Sequence, residues 1–330
     1  MKIENIKKIL VIKNDKIGDM ILSTNIFREL KRSLPNSKIT AIVSNANKPL
    51  VEKNRHIDNL LVLNYPPKNF IDIIKYLKMS RSLKKENFDL GIDLRGSIYN
   101  IFFLLYLAKV KYKIGFYNRK LSKLLLDYAY QKDRKMKHVT FQRIDLINKA
   151  LNLNAKNYWP EIATDNEDEK STTEFIKKNK LNKYTCILPD ASIEERQWPL
   201  ERWNKIIKYL HENYPKYKIL ILGLDMKKIS SLLEKNPHII YPENPLNLRE
   251  LYLILKKSSL VISQDSGPMH LAWTAKANLI ALISGYIYRP KDLNKLNYLH
   301  PLGKNAHTIY KDMDKITLQE VKEKIDFILK

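Results

Sequence analysis

Hydrophobic residues in this chain fall in short unbroken runs separated by longer stretches of helical spacing. The runs at 8–12 (KILVI), 39–43 (ITAIV), 60–63 (LLVL) and 88–94 (FDLGIDL) have the length and apolar content of buried strands. Between them the period changes. From Asp19 onward Leu22, Ile26, Phe27, Leu30 and Leu34 line one helical face that stops at Pro35, and a second apolar helix is expected over 98–107. Strands alternating with helices predict right-handed βαβ units and a parallel sheet.

The stretch 164–171 (TDNEDEKS) is polar and acidic, breaks the alternation, and reads as a linker. Beyond it the pattern restarts. Strands are expected at 184–188, 219–222, 239–241, 260–263 and 279–283, and helices at 198–209, 229–233, 248–255 and 269–275. The closing segment 318–329 (LQEVKEKIDFIL) is amphipathic, with Val321, Ile325, Ile328 and Leu329 on one stripe. A chain of 330 residues exceeds one comfortable core. The fold class predicted is α/β, with two doubly wound, Rossmann-like domains over 1–165 and 166–330, and a final helix at about 316–330.

Composition adds a strong field and several exclusions. Lys and Arg outnumber Asp and Glu by 59 to 35, a net charge of +24 that favours phosphorylated substrates, nucleic acid or an anionic membrane surface. A Lys-, Asn- and Ile-rich composition would raise that charge with no partner involved. Cys186 is the only cysteine, which removes a disulfide framework and a cysteine metal cluster. The N-terminal segment turns polar before it builds a signal-peptide core, and the longest apolar run, near 98–110, falls short of a bilayer span. The expectation is a cytoplasmic protein whose membrane contact is peripheral. The eight glycines build neither a dinucleotide fingerprint nor a P-loop, and the seven histidines contain no zinc-type pair, so no metal and no resident cofactor is expected.

Three loops remain that carry chemistry. The first, KNDKIGD at 13–19, links a strand to a helix, the position where open α/β sheets gather ligands. Lys16 and Gly18 support the loop, Gly18 by permitting a tight turn, and Asp19 is either a helix N-cap, a catalytic base, or both. The second, LPDASIEERQWP at 188–199, offers the Ser192 hydroxyl and the Arg196 guanidinium, which suits a phosphate; Trp198 reads equally as core. The third is QDSGPMH at 264–270, where Asp265, Ser266, Gly267 and Pro268 lead from a strand into a helix whose N-terminus suits a diphosphate. His270 is a packing histidine or a ligand contact.

Taken together, KILVIKNDKIGDMILSTNIFRELKRSLPNSKI, LPDASIEERQWPLERWNKII and LVISQDSGPMHLAWTAKANLIALISG resemble the lipopolysaccharide heptosyltransferase family, glycosyltransferase family 9, in order and spacing. The resemblance implies a GT-B fold: two Rossmann-like domains facing a cleft, the N-terminal one binding acceptor, the C-terminal one nucleotide-sugar, with the last helix packing back on the first domain. It implies that Asp19 is the base of an inverting, metal-independent transfer. Ser192, Arg196, Asp265, Ser266, Gly267, Met269 and His270 would hold the donor, with Arg196 where relatives commonly have Lys. The partners implied are a nucleotide-sugar (ADP-heptose first, another nucleotide-hexose or N-acetylhexosamine as the alternative) and an anionic lipid-linked glycan at the cytoplasmic face of the inner membrane. Nucleic acid is not expected; a basic nucleic-acid-binding protein is the competing reading. The stretch 223–228 (GLDMKK) departs from the element that sets nucleoside preference in relatives, which leaves the nucleotide open.

Overall fold

Strand β1, Lys8–Lys13, is the centre of the first sheet, because five of its six side chains are buried and neighbours pair with it in parallel on both sides. The computed structural model describes residues 3–132, 137–223, 239–243, 246–285 and 298–330. The chain divides into two units, Met1–Ala163 and Thr164–Lys330.

The first unit is a six-stranded parallel sheet ordered β3-β2-β1-β4-β5-β6. Its further strands are β2 (Lys38–Val43), β3 (Asn59–Val62), β4 (Leu90–Asp93), β5 (Tyr112–Tyr117) and β6 (Tyr128–Gln131). The apolar helix expected after Asp19 is two helices, α1 (Ile17–Ile21) and α2 (Asn25–Ser33). The Ser23 and Thr24 hydroxyls bond back to the carbonyls of Asp19 and Ile21, the local competition that interrupts a helix. Then follow α3 (Lys48–Val51), α4 (Phe70–Glu86), a π-helix at Asn100–Tyr106, α5 (Lys120–Leu124) and α6 (Val139–Leu151).

The second unit repeats the plan in the order β12-β11-β10-β7-β8-β9. Its strands are β7 (Tyr184–Leu188), β8 (Lys218–Ile221), β9 (Ile239–Ile240), β10 (Leu260–Gln264), β11 (Leu279–Ser284) and β12 (Ala306–Lys311). Helices α7 (Asn166–Lys178), α8 (Leu200–Asn213), α9 (Leu248–Lys257), α10 (Gly267–Thr274) and α11 (Leu318–Leu329) flank it. The helix expected over 229–233, and residues 224–228 of the nucleoside-preference stretch, lie outside the described residues.

One expectation needs correction. The acidic stretch read as a linker is the start of α7: Asp165 accepts the Asp168 backbone N–H, and the Asp168 carboxylate accepts the Asp165 N–H, a capping box. Acidic residues belong there because the helix N-terminus is positive. The apolar stripe on α11 is buried in the second unit's own core. Val321, Ile325 and Leu329 pack with Trp203, Ile206 and Leu210, and Asp326 accepts hydrogen bonds from the Tyr209 and Tyr214 hydroxyls.

Candidate active site

In each sheet the chain builds outward on one side of a strand and then resumes on the other. That reversal lies between β1 and β4 in the first unit and between β7 and β10 in the second. Loops leaving the carboxyl ends of two such strands diverge and open a crevice. The loops read from the sequence as chemical, after β1, β7 and β10, sit at these two places.

In the first unit β1 ends at Lys13, whose side chain is only 2% exposed. Its ammonium lies 2.8 Å from Asp15 Oδ2 and 3.6 Å from Asp19 Oδ1. Arg143, on the first turns of α6 and 1% exposed, brings a guanidinium nitrogen to 3.6 Å from the same Asp19 oxygen. A third cation, Lys132, stands just beyond β6 and donates to the Arg95 carbonyl. Burial, with help from Lys13 and Arg143 and against the pull of Asp93 and Asp19, pushes the Lys132 ammonium down to about 8.

The β4 loop is held from below. Fully buried Asp93 accepts the backbone N–H groups of Gly96 and Ser97 at 2.6 and 2.9 Å and the Asn100 amide at 3.1 Å. Gly96 adopts φ +85°, which a side chain would resist, and so the backbone can double back over Asp93. Desolvation nonetheless raises the Asp93 carboxyl above the usual range. Asn100 donates onward to Asn14, so the β1 and β4 loops are tied by buried amides. Arg95 reaches across to Asp15 and lies over the Tyr65 ring.

Asp19 is the third residue of α1, with its side chain 38% exposed. It is not the N-cap, since Lys16 occupies that position and its side chain makes no capping bond. Gly18 is the second helical residue rather than part of the turn.

In the second unit the short 3₁₀ turn Glu194–Arg196 carries Arg196 to the β10 loop. Its guanidinium lies 3.4 Å from Asp265 Oδ1, and it donates to the Asp265 carbonyl at 3.5 Å. Gln264 completes the tie between the loops: its amide donates to the Pro189 carbonyl and its oxygen accepts the Trp198 N–H. Ser266 is the N-cap of α10, Gly267 its first residue and Pro268 its second. The Ser266 hydroxyl oxygen is buried and finds no hydrogen-bond partner among the described residues.

Ser192 is exposed on the β7 loop. Met269 is fully buried, and His270 is nearly so. Trp198 is core, edge-on to Trp203 at 5.0 Å between ring centres. His300, absent from the sequence reading, joins this group: burial, then the neighbouring His270 and Arg196, pushes its imidazole down to about 4.

The structure therefore brings Arg196, Asp265 and Ser266 together in one unit, and sets Asp19 among cations in the other. Lys13 and Gln264 stand in the stretches 13–19 and 264–270 but had no role of their own in the sequence reading, and Lys132, Arg143 and His300 lay outside it. Lys13 carried a signal as the charged last residue of a buried strand. No group of three or more His, Cys, Asp or Glu among the described residues is arranged to hold a metal ion.

Residues 76–324 match the model of glycosyltransferase family 9 (heptosyltransferase). The lipopolysaccharide core heptosyltransferase OpsX of Haemophilus influenzae is 23% identical over 283 residues, covering 84% of this chain and 78% of that protein. Among solved structures, a family 9 glycosyl transferase from Veillonella parvula superposes with a TM-score of 0.84 at 19% identity, over 100% of this chain and 98% of its own. The Escherichia coli ADP-heptose lps heptosyltransferase II gives a TM-score of 0.78 at 20% identity, over 98% of both chains. These likenesses extend along both units and show a shared fold, the GT-B class that the motifs implied.

Proposed function

The chain belongs to glycosyltransferase family 9 and is a glycosyltransferase; from that premise we propose that it transfers heptose from ADP-heptose to the anionic core of a lipopolysaccharide or lipooligosaccharide, with inversion and without a metal. The observation that carries the reading is the Arg196–Asp265 pair at the reversal of the second sheet, beside the N-terminus of α10 and the buried Ser266 hydroxyl.

That group suits the donor. A leaving diphosphate gains charge as the glycosidic bond breaks, and a guanidinium, a hydroxyl and a helix N-terminus are the groups that stabilise it. Arg196 supplies the cation, Ser192 and Ser266 supply hydroxyls, and Asp265 orients Arg196. His270 stands on the first turn of α10, beside the same loop.

Asp19 suits the acceptor side. The acceptor hydroxyl oxygen forms its bond to the anomeric carbon from the face opposite the diphosphate. The bond from that carbon to the diphosphate oxygen breaks, the electron pair leaves with ADP, and the hydroxyl proton passes to Asp19. A carboxylate is a weak base at neutral pH, but an oxocarbenium-like donor makes early deprotonation unnecessary. Lys13 and Arg143 flank Asp19 and aim it. Lys132 and Arg143 leave this end of the first unit rich in positive charge, which suits acidic sugars or phosphates on the acceptor. The place of work is the cytoplasmic face of the inner membrane, where such acceptors are lipid-borne.

A thermal-shift screen with ADP-heptose, UDP-hexoses and UDP-N-acetylhexosamines tests the reading. Stabilisation by ADP-heptose alone is expected. A shift with a UDP-sugar instead moves the assignment to another nucleotide-hexose. No shift with any of them, together with tight salt-sensitive DNA binding, overturns it.

A further inference from the structure

The first unit leaves an apolar face uncovered. Leu121 and Leu124, one turn apart on α5, are 58% and 80% exposed. Phe102 and Tyr106 on the π-helix are exposed as well, stacked on each other with ring centres 6.0 Å apart.

Topology puts these residues on one side of the sheet. The steps β3 to β4, β4 to β5 and β5 to β6 all run in the same direction across the order β3-β2-β1-β4-β5-β6. Right-handed crossovers therefore place their connections, α4, the π-helix and α5, on a common face, with α2 and α3 on the other. Contact between Tyr76 of α4 and Phe103 of the π-helix, ring centres 5.8 Å apart, agrees with that placement.

Charge identifies what could cover the face. Arg119, Lys120 and Lys123 surround the two leucines and are exposed, and α4 adds Lys75, Lys78 and Arg81 on its solvent side. The π-helix itself carries no charge. Exposed leucines ringed by lysine and arginine match a surface with an apolar interior and anionic headgroups. A second copy of the chain fits poorly, because each copy carries a net charge of +24.

We propose that this face docks on an anionic lipid bilayer, with Leu121 and Leu124 entering the boundary between headgroups and acyl chains while Arg119, Lys120 and Lys123 meet lipid phosphates. Lysine and arginine stems can lie along the apolar boundary and keep their charges at the phosphate level. Helices α4 and α5 both begin at the carboxyl ends of their strands, the same edge that bears Asp19. Docking there would present a lipid-borne acceptor to that edge. This consequence rests on the transferase reading; the docking itself does not.

The full-length protein is sedimented with phosphatidylglycerol-containing vesicles and with pure phosphatidylcholine vesicles. Wild type is expected to pellet with the anionic vesicles and to be released by salt. Leu121→Glu/Leu124→Glu is expected to lower the partition coefficient about tenfold or more. Lys120→Glu/Lys123→Glu, which leaves the leucines in place, serves as the second variant. Phe327→Glu, altering a side chain 77% exposed in the second unit, is expected to partition as wild type does. Wild-type partition retained by both double variants overturns the proposal, as does failure of wild type to bind anionic vesicles. Self-association abolished by the leucine variant, without vesicle binding, overturns it in favour of an interface between copies. The thermal shift with ADP-heptose is read on the same variants and is expected to be unchanged. Loss of that shift in wild type would strike the transferase reading and leave the partition result standing.

Discussion

Arg143 and Asp19 meet at 3.6 Å, with the arginine buried on α6 and the aspartate half-buried on α1. Lys13 reaches the same oxygen, Oδ1, at the same distance. A carboxylate flanked in this way is fixed in place. Asp19→Asn keeps the shape and removes the proton acceptor. Turnover should fall about 10²- to 10⁴-fold, the usual weight of a general base, with the Kd for ADP-heptose almost unmoved. Steady-state kinetics beside calorimetric donor binding checks this, and wild-type turnover in the variant would remove Asp19 as the base.

Lys132 should make acceptor binding depend on pH. Its ammonium loses the proton near pH 8 in the folded protein, well below the range of an exposed lysine. Between pH 8 and the ordinary lysine value of 10.5 the folded state binds fewer protons than the unfolded one, so any stability effect is a penalty that builds as pH falls from 10.5 to about 8 and is constant below it. The cation itself exists only below that pH. KM for an anionic acceptor should therefore rise about tenfold between pH 7 and 9, the weight of one charged hydrogen bond. Lys132→Met should flatten that rise, and donor KM should show none of it.

Arg196 should bear on donor binding. Replacing it with Ala removes the guanidinium beside Asp265 and should weaken ADP-heptose about 10- to 100-fold, the range for a hydrogen bond to a charged group. Arg196→Lys should fall between the two, because an ammonium keeps the charge but lacks the planar fork. Isothermal titration with ADP and with ADP-heptose reads both.

His300 predicts an acid limb. Its folded pKa of about 4 lies below the ordinary value of 6.5, so the folded state prefers the neutral ring. Stability is complete above pH 6.5 and is lost as pH falls through 4, by roughly 3 kcal/mol in total. Thermal denaturation between pH 7.5 and 4 should show a shallower decline in His300→Gln than in wild type.

Much of this was legible from residues alone. The runs KILVI, ITAIV, YTCIL and LIALI became strands because burial on both faces of a parallel sheet demands unbroken apolar sequence. Strands β6 and β12 were harder to see. They lie at sheet edges, half-exposed, and their sequences YAYQ and AHTIYK mix polar with apolar residues. Asp19 and the loop at 264–270 could be singled out because charge and Gly-Pro chemistry interrupt an apolar pattern at a strand end. Their local roles could not. Whether an aspartate at a helix start caps it depends on one backbone position, and Lys16 holds that position here.

The sequence by itself determined that there would be two parallel α/β units, where most of their buried strands would lie, and which three strand-end loops break the apolar pattern with charge and Gly-Pro chemistry. Periodicity reports which side chains avoid water, and that needs only neighbours along the chain. Strand order, and with it the company each loop keeps, came only from the tertiary structure. Lys13 and Arg143 converge on Asp19, and Arg196 on Asp265, because crossovers bring loops from distant segments to one sheet edge. No local pattern encodes such meetings; they follow from how whole helices pack across the sheet.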